Sequence, residues 1–151
     1  MRVSQPSAKV IRRARKIAKH LGSLVLLPEH FILGMLKMKN TATRFLRKAG
    51  IALGEVRKAF FKEIPRFKEH KGIEPRQSNA WNIVMSRAAS LAENGKRNSI
   101  GTFDVFAAFT ETDGIFECIF EACKVAFATI RQFLAELVTS ERRYADKVAI
   151  A

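Results

Sequence analysis

Apolar residues recur along this chain at helical spacing, and the first stretch where they do so sets the pattern for the rest. Val10, Ala14, Ile17, Ala18 and Leu21 fall at i, i+4, i+7, i+8 and i+11, one buried stripe on a helix that Ser7 is placed to cap and that ends at about Leu21. Gly22 sits just past that end, where a left-handed residue closes a helix. Pro28 suits the first turn of a second helix, because the N–H it lacks is one the first turn leaves unpaired. That helix carries Phe31, Ile32, Met35 and Leu36 inward. Asn40 or Thr41 caps a third helix through Phe45 and Leu46, ended by Gly50. Val56, Ala59 and Phe60 mark a fourth, which stops before Pro65.

The pattern then starts again. A shift of 74 residues lays "KVIRRARKIAKHLGSLVLLPEHFILGML" on "IVMSRAASLAENGKRNSIGTFDVFAAFT", and "FLRKAGIALGEVRKAFF" on "IFEACKVAFATIRQFLA", both without a gap. Identities are few, among them Arg13 with Arg87 and Ala18 with Ala92; what repeats is the order of apolar positions. The second unit predicts a helix opening near Gln77 or Ser78 with Trp81, Val84, Met85, Ala88 and Leu91 inward. Thr102 is the expected N-cap for "FDVFAAF", Asp113-Gly114 a turn before "IFECIFEAC", and Thr129 to about Val138 the last helix. "PRFKEHKGIEP", Pro65 to Pro75, is polar and bounded by prolines, and reads as a linker. No strand-like alternation competes. The expected fold is all-α: two tandem four-helix repeats with pseudo-twofold symmetry in one compact domain, with repeat one at 7–64, linker 65–75, repeat two 76–138 and a tail 139–151.

Composition adds one large asymmetry. The chain has 151 residues, 48% of them hydrophobic and 27% charged, a globular balance, with a formal net charge of +13. Up to Glu74 there are 18 basic and 5 acidic residues, and beyond it 9 of each, so the whole excess sits in the first part. A one-sided field of this kind favours acidic partners: nucleic acid, anionic lipid or an acidic protein surface. Charges or Pro interrupt every apolar stretch before it reaches the roughly 20 residues of a membrane span, and no membrane partner is expected. The basic start has no apolar run behind it, which argues against a secretory signal and makes the cytoplasm the default location. Cys118 and Cys123, five residues apart, suit neither a disulfide framework nor the CxxC spacing of a zinc site, and read as buried thiols.

"LLPEHFILGML", Leu26 to Leu36, places an acid, a His and a Gly on an apolar pattern close to "IGTEHLLLGLL". With the tandem repeat and "FLRKAGIALGEVRKAF", this resembles the Clp N-terminal repeat domain of the ClpA-, ClpB- and ClpC-type AAA+ unfoldases. The second unit keeps Ile100, Gly101 and Thr102, then departs, with Phe103 in place of the acid and Asp104 in place of the His. The resemblance implies a non-catalytic docking module for unfolded or marked protein substrates or for an adaptor protein, working with Clp ATPase rings. It also implies that an acid at the position of Glu29 helps bind phosphorylated arginine, as in ClpC-type members. No GxxxxGK[ST] phosphate loop is present, and "LAENGKRNSIG" lacks its first Gly and its Ser or Thr.

The candidate site residues follow. Glu29 and His30 lack a third catalytic group, and His20 and His70 add no HExxH or other metal spacing, so neither catalysis, a metal nor a cofactor is expected. Glu29 complements the helix dipole and is the candidate polar contact, while His30 beside it hydrogen-bonds locally or packs between helices. Arg12, Arg13 and Lys16 represent the basic face of the first helix, a solvated face or a dock for an acidic partner. Phe103 is the candidate apolar contact, facing outward near the cleft between the units or else packed beneath the linker. The rival reading is a small basic helical protein that binds nucleic acid electrostatically. Against it, aromatic residues are not interleaved with the basic ones, and no helix-turn-helix pair stands out.

Overall fold

The computed structural model of the chain describes residues 1–112 and Glu121. After a short strand β1 (Arg2–Val3) comes the long helix α1 (Gln5–Leu21). Ser4, not Ser7, is its N-cap: the Ser4 hydroxyl accepts from the Ser7 N–H at 3.2 Å, and Pro6 is accommodated in the first turn. Ser7 lies inside the helix, fully buried, and donates its own hydroxyl to the Ile100 carbonyl at 2.9 Å. In this register both serine hydroxyls have a partner.

At the other end Gly22 adopts φ 74, and the Ser23 N–H reaches back to the Ala18 carbonyl at 2.9 Å. The segment expected to be a plain linker is docked there. Phe67 donates its N–H to the Leu21 carbonyl at 2.8 Å, and Gly72 donates to the Lys19 carbonyl at 3.1 Å, so the linker satisfies carbonyls that a helix end leaves open. Glu74 adds exposed ion pairs to Arg15 and Lys19, each at 3.6 Å. A Cβ on Gly22 would come within 1.8 Å of the Phe67 carbonyl oxygen. Gly22→Ala is therefore expected to lose about 1–2 kcal/mol from the left-handed backbone alone, and to displace the linker. Urea unfolding reads the first effect. Faster protease cleavage between Pro65 and Pro75 reads the second.

The remaining elements are β2 (Val25–Leu26), α2 (Pro28–Leu36), α3 (Thr41–Lys48), α4 (Leu53–Lys62), a 3₁₀ turn (Lys68–His70), β3 (Arg76–Gln77), α5 (Asn79–Asn94), β4 (Ser99–Ile100) and α6 (Thr102–Thr112). Asn40 caps α3 and Ser78 caps α5, each accepting an N–H three residues on. Thr102 opens α6 as its first residue instead of capping it, and its hydroxyl meets that of Thr41 at 3.0 Å. The readings that fall on residues 113–120 and 122–151, including the last two helices, both cysteines and the tail, lie outside the described residues.

The short strands were not foreseen. β1 runs parallel to β4 with Arg2 opposite Ser99, and β2 runs parallel to β3 with Val25 opposite Arg76. The 74-residue shift that takes Arg2 to Arg76 also takes Val25 to Ser99, so the same contact is made twice, once in each direction. Each strand has two residues and finds its partner far along the chain, and so leaves no alternation to read.

Between the helices lies a core rich in Phe. Edge-to-face pairs join Phe31 to Trp81 at 6.1 Å, Phe45 to Phe103 at 5.3 Å and Phe60 to Phe109 at 6.0 Å, so α2, α3 and α4 are each tied to the second half of the chain. α6 is buried from Thr102 through Thr110, as expected of a helix that is apolar nearly all round. Met85 and Ile17, placed inward by their spacing, are only half-buried.

Candidate docking site

The opening of α2 is built by its own residues. Pro28 fills the first position, Glu29 lies half-buried in the first turn near the positive end of the helix dipole, and His30 turns inward and is fully buried. The Leu27 N–H donates to His30 Nδ1 at 2.9 Å, which closes the helix start in the manner of a capping box. The proton of the neutral ring therefore sits on Nε2, a buried atom without a hydrogen-bond partner among the described residues. Burial pushes the imidazole down to about 4. His30 is thus a structural cap making the local hydrogen bond expected of it, and, with no exposed atom to offer a partner, it drops out of the candidate site residues.

The matching turn in the second half performs the same task with different chemistry. Gly101 donates its N–H to Asp104 Oδ2 at 2.9 Å, as Leu27 does to His30. A carboxylate there needs a countercharge, and Arg97, itself buried, supplies it through an ion pair to Asp104 Oδ1. Arg97 also donates to the Leu91 carbonyl at 3.2 Å, tying the end of α5 to the start of α6. Phe103, which stands where α2 has Glu29, is 1% exposed and packs on Phe45. It is a core residue and cannot serve as an apolar contact for a partner.

Arg12, Arg13 and Lys16 are exposed on α1 as expected. α1 and α2 approach closely at Gly34, where an added Cβ would lie 3.3 Å from the Val10 carbonyl oxygen and 3.4 Å from Arg13 Cγ. The stem of Arg13 thus crosses α2, and one turn further along the same face stands Ile17.

Ile17 opens onto a groove between α1, α2 and α4 that the sequence reading did not single out. It has a volume of about 450 Å³, with Ile17, Leu33 and Phe61 as its apolar lining. Lys37 at the end of α2, Arg57, Lys58 and Lys62 on α4, and Arg66 beyond it form the rim. Arg66 stands 4.2 Å over the Phe61 ring, a cation–π contact, and Phe61 is 36% exposed. A signal for this groove was in the sequence. Phe60 and Phe61 are neighbours on a helix that buries one face, which turns their side chains in different directions, and Phe60 is the one buried.

A second basic hollow at the start of α3 is lined by Lys39, Arg44, Arg47 and Lys48. Among the described residues no group of three or more His, Cys, Asp or Glu side chains is arranged to hold a metal ion, and no helix is long and apolar enough to cross a membrane.

Repeated caps, reciprocal strand pairs and a Phe core define a helical domain with an open, basic-rimmed groove. The sequence matches the profile of the Clp repeat (R) N-terminal domain over residues 2–123, and the chain belongs to that family. The fold is shared with the Hsp104 N-terminal domain from Candida albicans, with a TM-score of 0.76 and 19% identity, covering 95% of this chain and 99% of that one. The ClpV N-domain in complex with a VipB peptide superposes with a TM-score of 0.71 and 14% identity over 93% of this chain and 89% of that one. The N-terminal domain of ClpD from Arabidopsis thaliana gives 0.66 and 18%, over 90% and 93% respectively. A sequence comparison with curated proteins returns no match.

Proposed function

We propose that this domain is a non-catalytic docking module of a Clp-type unfolding or proteolysis system, taking unfolded or marked protein segments or an adaptor. It acts either joined to an AAA+ ATPase ring or as a separate accessory protein. The observation that carries the reading is the likeness, over 93% of the chain, to a ClpV N-domain solved with a peptide on it. Glu29 is the polar contact: a half-buried carboxylate at the mouth of α2, able to grip a guanidinium through two hydrogen bonds. With Phe103 in the core and Asp104 committed to Arg97, the second half offers no equivalent acid, so one such site is proposed.

The test is binding of a labelled unfolded peptide, with and without phosphoarginine, against arbitrary duplex DNA in rising salt. Saturable peptide binding that Glu29→Ala weakens on the order of tenfold supports the reading and the site. Unchanged binding returns Glu29 to a dipole-complementing role. DNA binding alone, falling steeply with salt, supports the electrostatic nucleic-acid reading that the net charge of +13 motivates.

A further inference from the structure

The groove between α1, α2 and α4 combines two features that seldom occur together on a solvated face. Its lining is apolar, with Phe61 exposed, and no carboxylate contributes to it. Five cations surround that lining, and no carboxylate among the described residues forms an ion pair with any of them. Solubility alone calls for neither an open apolar patch nor charges of one sign around it. Five of the first part's 18 basic residues are gathered here, and Arg13 extends the same field along α1.

We propose that this groove docks an acidic amphipathic segment of a partner protein, with large apolar side chains set on Ile17, Leu33 and Phe61 and carboxylates facing Lys37, Arg57, Lys58, Lys62 and Arg66. The inference rests on the docking reading above and deepens it by naming the partner's chemistry and its seat. Charge complementarity selects the sign of the partner, and the apolar lining selects its class. A nucleic acid would satisfy the cations through phosphates but leave the exposed Phe61 and half-buried Ile17 uncovered. A helix with apolar anchors at i, i+4 and i+7 and acids between them satisfies both.

Fluorescence anisotropy on the whole chain tests this with a labelled peptide carrying Leu at i, i+4 and i+7 and Glu at most other positions. Its controls are a scrambled version, a version with Lys for Glu, and a duplex DNA. Saturable binding of the acidic amphipathic peptide is expected, weakened about tenfold by Phe61→Ser and by Lys58→Glu, and much less by Arg44→Glu in the hollow at α3. All three positions are exposed, and circular dichroism with thermal melting checks that each variant is folded. Binding that persists unchanged in both groove variants overturns the seat while leaving the docking reading intact. Equal binding of the scrambled or Lys peptide overturns the partner's chemistry. If no peptide binds, acidic or unfolded, and DNA does, both the inference and the docking reading fall.

Discussion

Asp104→Ala is expected to destabilise the domain by about 3–5 kcal/mol, because it breaks a buried ion pair by removing the carboxylate that faces the Arg97 guanidinium. Arg97 and Asp104 are both buried, and their ion pair links the end of α5 to the start of α6. The same substitution removes the acceptor of the Gly101 N–H. Replacing both partners by apolar residues of similar size, as in Arg97→Met with Asp104→Leu, is expected to cost less than Asp104→Ala alone, since no buried charge is left over. Urea unfolding of the single and double variants measures this. A double variant as unstable as the sum of the singles would mean that the pair is not coupled.

Acid is expected to weaken the domain through His30, by about 3 kcal/mol between pH 6.5 and pH 4. The unfolded imidazole takes up a proton near its ordinary value of 6.5, whereas burial holds the folded one down to about 4. Within that window the unfolded state binds more protons, so stability falls as the pH falls, and above it the contribution is fully present. His30→Gln keeps an acceptor for the Leu27 N–H and removes the titration. The variant is therefore expected to start less stable at pH 7.5 and to close the gap on the wild type as the pH approaches 4. Parallel curves for the two proteins would show that His30 does not drive the acid response.

These two predictions concern equivalent positions, and they show how far the sequence could be read. The gapless shift of 74 residues by itself placed His30 opposite Asp104, but not the work the two side chains share. That work depends on a burial which charges the carboxylate version with finding a cation and leaves the imidazole neutral. Phe103 was left open between an outward and a packed position for a related reason. In "FDVFAAF" apolar residues cover most of the helix surface, so spacing marks no outward face, and α6 is in fact buried from Thr102 through Thr110.

What the sequence determined by itself is local: the helices among the described residues, the caps at Asn40 and Ser78, Gly22 and Gly50 at helix ends, Pro28 in a first turn, and the concentration of charge in the first part. These follow from residue types acting on their own backbone within a turn or two. Tertiary structure alone decided the rest. It moved the α1 cap from Ser7 to Ser4, because the Ser7 hydroxyl is taken by Ile100, far along the chain. It made strands of residue pairs that are too short to signal, and laid the linker across Gly22. It also left Phe61 exposed and Ile17 half-buried among five cations, since which apolar residues stay uncovered depends on where the other helices end.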